Sequence, residues 1–195
     1  MKSKILFFDV DGTLIDSSQG IHEIPAGVIN KLRRIQKLGH KIFISSGRPK
    51  AMMNQHFLSI GFDGFVLANG GYVEIDGTSI FEDRMDYDLC VKTIHMLEEL
   101  ECDYMIETAD SIYIDEKYQE LYQFFRAKGI AEMFQHDFDK YEVLKKTIKI
   151  EANVKDVDKA RIEQYIKDKF GCVIHHDEHG SENAFEFFHQ RFLKL

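Results

Sequence analysis

Two aspartates, Asp9 and Asp11, stand one residue apart in the run Phe8-Asp9-Val10-Asp11-Gly12-Thr13-Leu14, directly after a short apolar segment, Ile5 to Phe8. Carboxylates at i and i+2 beside a glycine suit phosphoryl transfer. One of them can attack phosphorus and carry it as an acyl phosphate. The other can protonate the leaving group and then draw a proton from water. Gly12 lets the backbone approach a phosphate closely and can aim N–H groups at it. A carboxylate attacking a dianion needs a cation to screen the repulsion. Mg2+, held by one or two carboxylates with phosphate and water oxygens, meets that need. The competing reading is a turn whose aspartates cap main-chain groups. It suits an isolated Asp-x-Asp better than one set between an apolar strand and Gly-Thr-Leu.

These residues need a scaffold, and the flanking pattern supplies one. Ile5 to Phe8 reads as a strand buried on both faces. Pro25 opens a helix with Val28, Ile29, Leu32, Ile35 and Leu38 on one face, and Gly39 ends it. Lys41 to Ile44 is a second strand, followed by Ser45-Ser-Gly-Arg48. Pro49 opens a second helix that runs to near Gly61, and Phe65 to Leu67 is a third strand. Strand–helix alternation of this kind predicts a parallel, doubly wound sheet with right-handed crossovers. Ligands collect at the carboxyl edge of such sheets. Asp9, Ser46 and Asn69 each follow one of the three strands and share that edge.

After Gly71 the pattern changes. Asp76-Gly77 joins two short strands as a hairpin. Beyond it come helices over 87–100, 117–128 and 156–170, strands over 104–107, 112–114 and 147–152, and a last strand pair over 172–175 and 184–188. This mixture predicts an α+β unit. The expected organisation is a parallel α/β core over 1–81, an α+β insertion over 82–183 and a return to the core over 184–195.

Asp9-Val-Asp11-Gly-Thr13 resembles the first motif of the haloacid dehalogenase-like superfamily, and Ile44-Ser-Ser46-Gly-Arg48-Pro resembles its second. Leu67-Ala-Asn69-Gly-Gly71 is similar to the segment that follows in the Cof-type branch of sugar phosphatases with a type IIB cap. The resemblance implies a Rossmann-like core, an inserted α+β cap that selects the leaving group, and Mg2+-dependent hydrolysis of a small phosphorylated metabolite such as a sugar phosphate. It implies that Asp9 is nucleophile and metal ligand. Asp11 becomes general acid/base and binds metal through its carbonyl. Gly12 supplies phosphate-facing backbone, and Ser46 and the Gly47 N–H bind phosphate. Arg48 either contacts substrate or pairs with a carboxylate; Asn69 either contacts substrate or only makes a turn; Ser46 alone is also compatible with a strand-end turn.

In that branch a lysine eight residues after a strand glutamate holds the phosphate. Glu186 and Lys194 have the spacing, although Lys194 also reads as an ordinary terminal lysine. The family's downstream Gly-Asp-x-x-x-Asp segment does not occur before Leu195. The expectation is therefore an incomplete core, with Ile5 to Phe8 at a sheet edge open to self-association. Two further readings stay in play: an impaired remnant that binds phosphorylated ligands without turning them over, and a phosphomutase. His175-His-Asp-Glu-His179 resembles a metal cluster, but neighbouring strand residues point to opposite faces, which favours a structural role. A net charge of −8 argues against a nucleic-acid partner. No apolar stretch is long enough to span a membrane. Cys90, Cys102 and Cys172 are widely spaced and read as reduced thiols of a cytoplasmic protein.

Overall fold

The computed structural model describes residues 2–16, 19–127, 131–167, 169–176 and 182–189. The chain divides into two compact units, Met1–Glu82 and Asp83–Leu195.

In the first unit, β1 (Ile5–Phe8), β2 (Lys41–Ser45) and β3 (Gly64–Leu67) run parallel in that spatial order. β4 (Tyr72–Ile75) and β5 (Thr78–Glu82) continue the sheet antiparallel. Asp76 (φ 48°) and Gly77 (φ 76°) form the hairpin turn, both left-handed as a type I′ turn requires. Among the described residues β1 pairs with β2 alone, so it is an edge strand, and Ile5 and Phe7 are exposed. Helix α1 (Ala26–Lys37) follows Pro25 and buries Leu32; Leu38 lies past its last turn and is exposed. Asp63 fastens this layer. Its carboxylate accepts the Ile42 N–H (2.9 Å) and the Gln36 amide (3.0 Å), and pairs with Lys41 at 2.6 Å.

The helix expected from Pro49 to Gly61 is broken. Lys50–Met52 makes one 3-10 turn, and α2 (Gln55–Ser59) is a separate short helix. Met53 and Asn54 are extended, and the Asn54 side chain accepts the Phe57 N–H at 3.2 Å. An asparagine that caps a new helix competes with continuing the old one.

The second unit contains α3 (Tyr87–Glu99), β6 (Tyr104–Glu107), β7 (Ile112–Ile114), α4 (Gln119–Ala127) and β8 (Phe134–Gln135). It continues through α5 (Lys140–Leu144), β9 (Lys149–Lys155), α6 (Asp156–Ile166), β10 (Gly171–His176) and β11 (Glu182–Phe188). The sheet order is β10-β11-β9-β6-β7-β8, and its pairs are antiparallel except β7–β8. Asp86 caps α3 by accepting the Leu89 N–H at 2.8 Å. Asp156 lies in the first turn of α6, whose N-cap is Lys155. One sheet face carries Ile106, Ile150, Ala152, Val154, Phe185 and Phe187, all fully buried. Those two phenylalanines explain why 184–188 does not return to the first unit. β11 lies between β9 and β10, where Phe187 meets Phe170 ring to ring at 5.9 Å.

Candidate active site

The site is built from three loops at the carboxyl ends of β1, β2 and β3. In the first loop Val10 is fully buried, and its carbonyl accepts the N–H groups of Thr13, Leu14 and Ile15 at 3.3, 3.0 and 3.0 Å. This tight knot turns Val10 inward and leaves Asp9 and Asp11 facing solvent. The Asp9 carboxylate has no hydrogen bond or ion pair with any described residue. The turn reading required carboxylates tied up by main-chain amides, and neither aspartate is so engaged.

Gly12 departs from its expected part. Its N–H donates to the Ile15 carbonyl at 2.8 Å, which closes the knot, so that donor does not face a phosphate. What Gly12 supplies is a left-handed φ of 75° and open space where a side chain would stand.

In the second loop the Ser46 N–H donates to the Val66 carbonyl (2.9 Å), and its hydroxyl oxygen accepts the Arg48 N–H (3.2 Å). With its oxygen used as an acceptor, the buried hydroxyl keeps its own proton to donate. Gly47 lies between them at the strand tip. The Arg48 guanidinium reaches the first loop: Nε donates to Asp11 Oδ2 at 2.8 Å and Nη2 to Asp11 Oδ1 at 2.7 Å. The carboxylate that Arg48 pairs with is that of Asp11.

The third loop is held to the second by the Ala68 N–H, which donates to the Arg48 carbonyl at 3.0 Å. Ala68 (φ 50°), Asn69 (φ 56°) and Gly70 (φ 89°) are consecutive left-handed residues. Two of them carry side chains, which costs about 1–2 kcal/mol each. Asn69 Oδ1 is buried and has no hydrogen-bond partner among the described residues.

Sequence reasoning missed a second tether. Lys50 Nζ pairs with Glu74 Oε2 (2.5 Å) and donates to the Tyr72 hydroxyl (3.3 Å), which donates to the same Glu74 oxygen (2.8 Å). Burial works to raise the Glu74 carboxyl, but the Lys50 and Tyr72 bonds outweigh it and hold it below its usual range. The Glu74 bond holds the Lys50 ammonium above its own range against burial. An inward-facing glutamate two residues from a tyrosine on one strand was the available sign of this group.

Of the expected pair, Glu186 and Lys194, only Glu186 is among the described residues. It lies on β11 in the second unit. Of the histidine-rich run, His175 pairs with Glu186 at 3.0 Å, and 177–179 lie outside the described residues.

An aspartate pair at the first strand tip and a Ser-Gly-Arg tip beside it meet a family pattern that can be compared directly. The family model described as haloacid dehalogenase-like hydrolase matches residues 6–194. The chain belongs to this family. The Bacillus subtilis protein named "Putative phosphatase YkrA" is 31% identical over 85 residues, covering 44% of this chain and 32% of its own. A phosphoglycolate phosphatase of Methanospirillum hungatei is 29% identical over 92 residues, covering 47% of this chain and 38% of its own. The matches thus span about a third of those relatives' lengths. The solved structure of the subclass IIB sugar phosphatase BT4131 superposes with a TM-score of 0.74 at 20% identity, covering 97% of this chain and 71% of that one. The expected α/β core with an α+β insertion is therefore the family's fold.

Proposed function

We propose that this chain carries the nucleophile-bearing part of a Mg2+-dependent phosphatase site for small phosphate monoesters of the sugar-phosphate kind. The observation that carries the reading is the Asp9 carboxylate, exposed and unengaged among the described residues, two positions from an Asp11 held by Arg48. Asp9 attacks phosphorus while the bond to the leaving oxygen breaks. Asp11, as general acid, delivers a proton to that oxygen, and the alcohol departs. Water then attacks the phosphorus of the aspartyl-phosphate, Asp11 takes the water proton, and inorganic phosphate leaves with Asp9 restored. Ser46 donates its hydroxyl to the phosphate and Gly47 lies beside it.

The donor chemistry fits magnesium. The Asp9 carboxylate and the Asp11 carbonyl are hard oxygen ligands. No cluster of three or more His, Cys, Asp or Glu groups able to hold a metal occurs among the described residues. Phosphate and water oxygens would complete the shell, as Mg2+ tolerates well. When bound, the ion screens the repulsion between the nucleophile and the substrate dianion. A second reading is a site that binds phosphorylated ligands with little turnover.

A panel of phosphate esters, assayed with Mg2+ and with chelator for wild type and Asp9→Asn, tests both. The expected result is metal-dependent phosphate release lost in Asp9→Asn. Equal release by the two proteins removes Asp9 as nucleophile. Metal-dependent phosphate binding without release identifies the binding-only reading.

A further inference from the structure

We infer that Arg48 is a positioning residue for Asp11 and not a ligand of the substrate phosphate. The inference rests on the phosphatase reading and assigns one residue of that site.

A guanidinium has five N–H donors, and its side-on face, Nε with one Nη, matches both oxygens of a carboxylate. Arg48 uses that face on Asp11, at 2.8 and 2.7 Å. Its side chain is largely buried, at 17% exposed, whereas the Asp11 side chain is 55% exposed. The arginine is thus the anchored partner and the aspartate the one being anchored. The anchoring is backed by the main chain. The Arg48 N–H is bonded to Ser46 Oγ, and the Arg48 carbonyl accepts from Ala68. One residue therefore joins all three strand-tip loops, which fixes the base from which its side chain reaches.

Asp11 needs such an anchor. It follows an exposed strand end in a loop whose internal bonds hold Val10, Gly12 and Ile15 but not the Asp11 carboxylate. A proton donor and acceptor must stay within hydrogen-bond reach of the leaving oxygen, and a misplacement of about 1 Å costs on the order of 100-fold in rate. Lysine would keep the charge at position 48 but present it as a point, without the two-pronged match.

The test separates a proton-positioning role from phosphate binding by the demand of the leaving group. An alkyl phosphate needs protonation as it leaves; 4-nitrophenyl phosphate, whose phenolate is already stable, needs little. For Arg48→Met, release of the leaving group in the first turnover is expected to slow about 100-fold for the alkyl ester and to stay within a few-fold of wild type for 4-nitrophenyl phosphate, with inhibition by inorganic phosphate unchanged; steady-state turnover falls on both, because the water step also uses Asp11. Arg48→Lys should fall between. Equal first-turnover losses on both esters, with weakened phosphate inhibition, would overturn the assignment and make Arg48 a phosphate ligand. A second readout does not depend on turnover. The Arg48 Nε–H proton resonance should shift in Asp11→Asn, yet stay in place when wild type is saturated with Mg2+ and inorganic phosphate. Movement on adding phosphate would sink the inference. Absence of wild-type turnover would count against the catalytic reading alone, because the resonance still decides the partner of Arg48.

Discussion

Asn69 shows how a single residue can be informative through what it lacks. Its backbone is left-handed, which asparagine tolerates better than most residues, and its Oδ1 is buried without a partner among the described residues. An unmet buried acceptor costs about 1–3 kcal/mol. It suits a substrate hydroxyl, as a sugar phosphate would bring. Asn69→Gly keeps the backbone conformation and deletes the amide, so the melting temperature should hold while KM for a hydroxylated phosphate ester rises about tenfold, on the scale of one hydrogen bond. Unchanged KM would reduce Asn69 to a turn residue. Asn69→Ala is the control for strain and should lose about 1 kcal/mol of stability. Residues of this kind are only half legible in a sequence. Asp9 and Asp11 could be read because their chemistry lies within three positions. The partner of Arg48 could not, because 37 residues separate it from Asp11 and either a phosphate or a carboxylate satisfies a guanidinium.

Among the elements, β1 decides how the molecule meets its surroundings. Its sequence reads as buried on both faces, yet Ile5 is 60% and Phe7 57% exposed, because the strand is an edge with β2 on one side only among the described residues. An apolar edge presents unpaired main-chain groups beside a sticky surface. Phe7 still meets the Phe43 ring at 5.4 Å, so Ile5 is the cleaner position to change. Ile5→Lys should lower concentration-dependent association in sedimentation velocity and shift stability by no more than about 0.5 kcal/mol. Identical sedimentation of wild type and variant would clear the edge of that role. Element type was legible wherever the local chemistry was strong, as at Asp76-Gly77. It failed over 184–188, expected to return to the first unit, where the alternation of Phe185 and Phe187 with Glu186 was the physical sign of a strand in the second sheet. Two fully buried rings determine which sheet the strand joins.

Across the whole molecule charge is stored in two ways, and the second unit uses both: burial works to raise its Glu98, but bonds from Lys140 and Tyr104 hold that carboxyl below its ordinary range. In the first unit, Asp63 and Glu74 are each held below the ordinary carboxylate range; burial opposes this in both, and hydrogen bonds, foremost from Lys41 and Lys50 respectively, overcome it. Their stabilisation is present above the unfolded carboxylate pKa and is lost as pH falls through the lowered folded values. The second unit buries Lys149 among three glutamates on one sheet face. Its Nζ lies 3.1 Å from Glu107, 3.7 Å from Glu151 and 3.5 Å from Glu186. Glu186 is also met by His175 at 3.0 Å, whereas Glu107 is fully buried beside the Lys149 ammonium. Burial, opposed by Lys149 and reinforced by the other two glutamates, pushes the Glu107 carboxyl up to about 8. A raised folded value means that the native state binds the extra proton, so this stabilisation is complete below the unfolded pKa and drains away as pH rises towards about 8. The same titration from acid to neutral pH should therefore strengthen the first unit and weaken the sheet around Glu107 in the second. Hydrogen exchange resolves this, because β2 and β3 amides report on the first unit and β9 amides on the second. Between about pH 5 and about pH 8 the opening free energy of β9 should decline, and Glu107→Gln, which mimics the protonated acid, should flatten that decline. Lys149→Met should instead cost about 3–5 kcal/mol, since it leaves the remaining carboxylates buried without their cation. A β9 protection that is level with pH in wild type would mean that Glu107 is ionised in the folded protein, with its charge met by Lys149 alone.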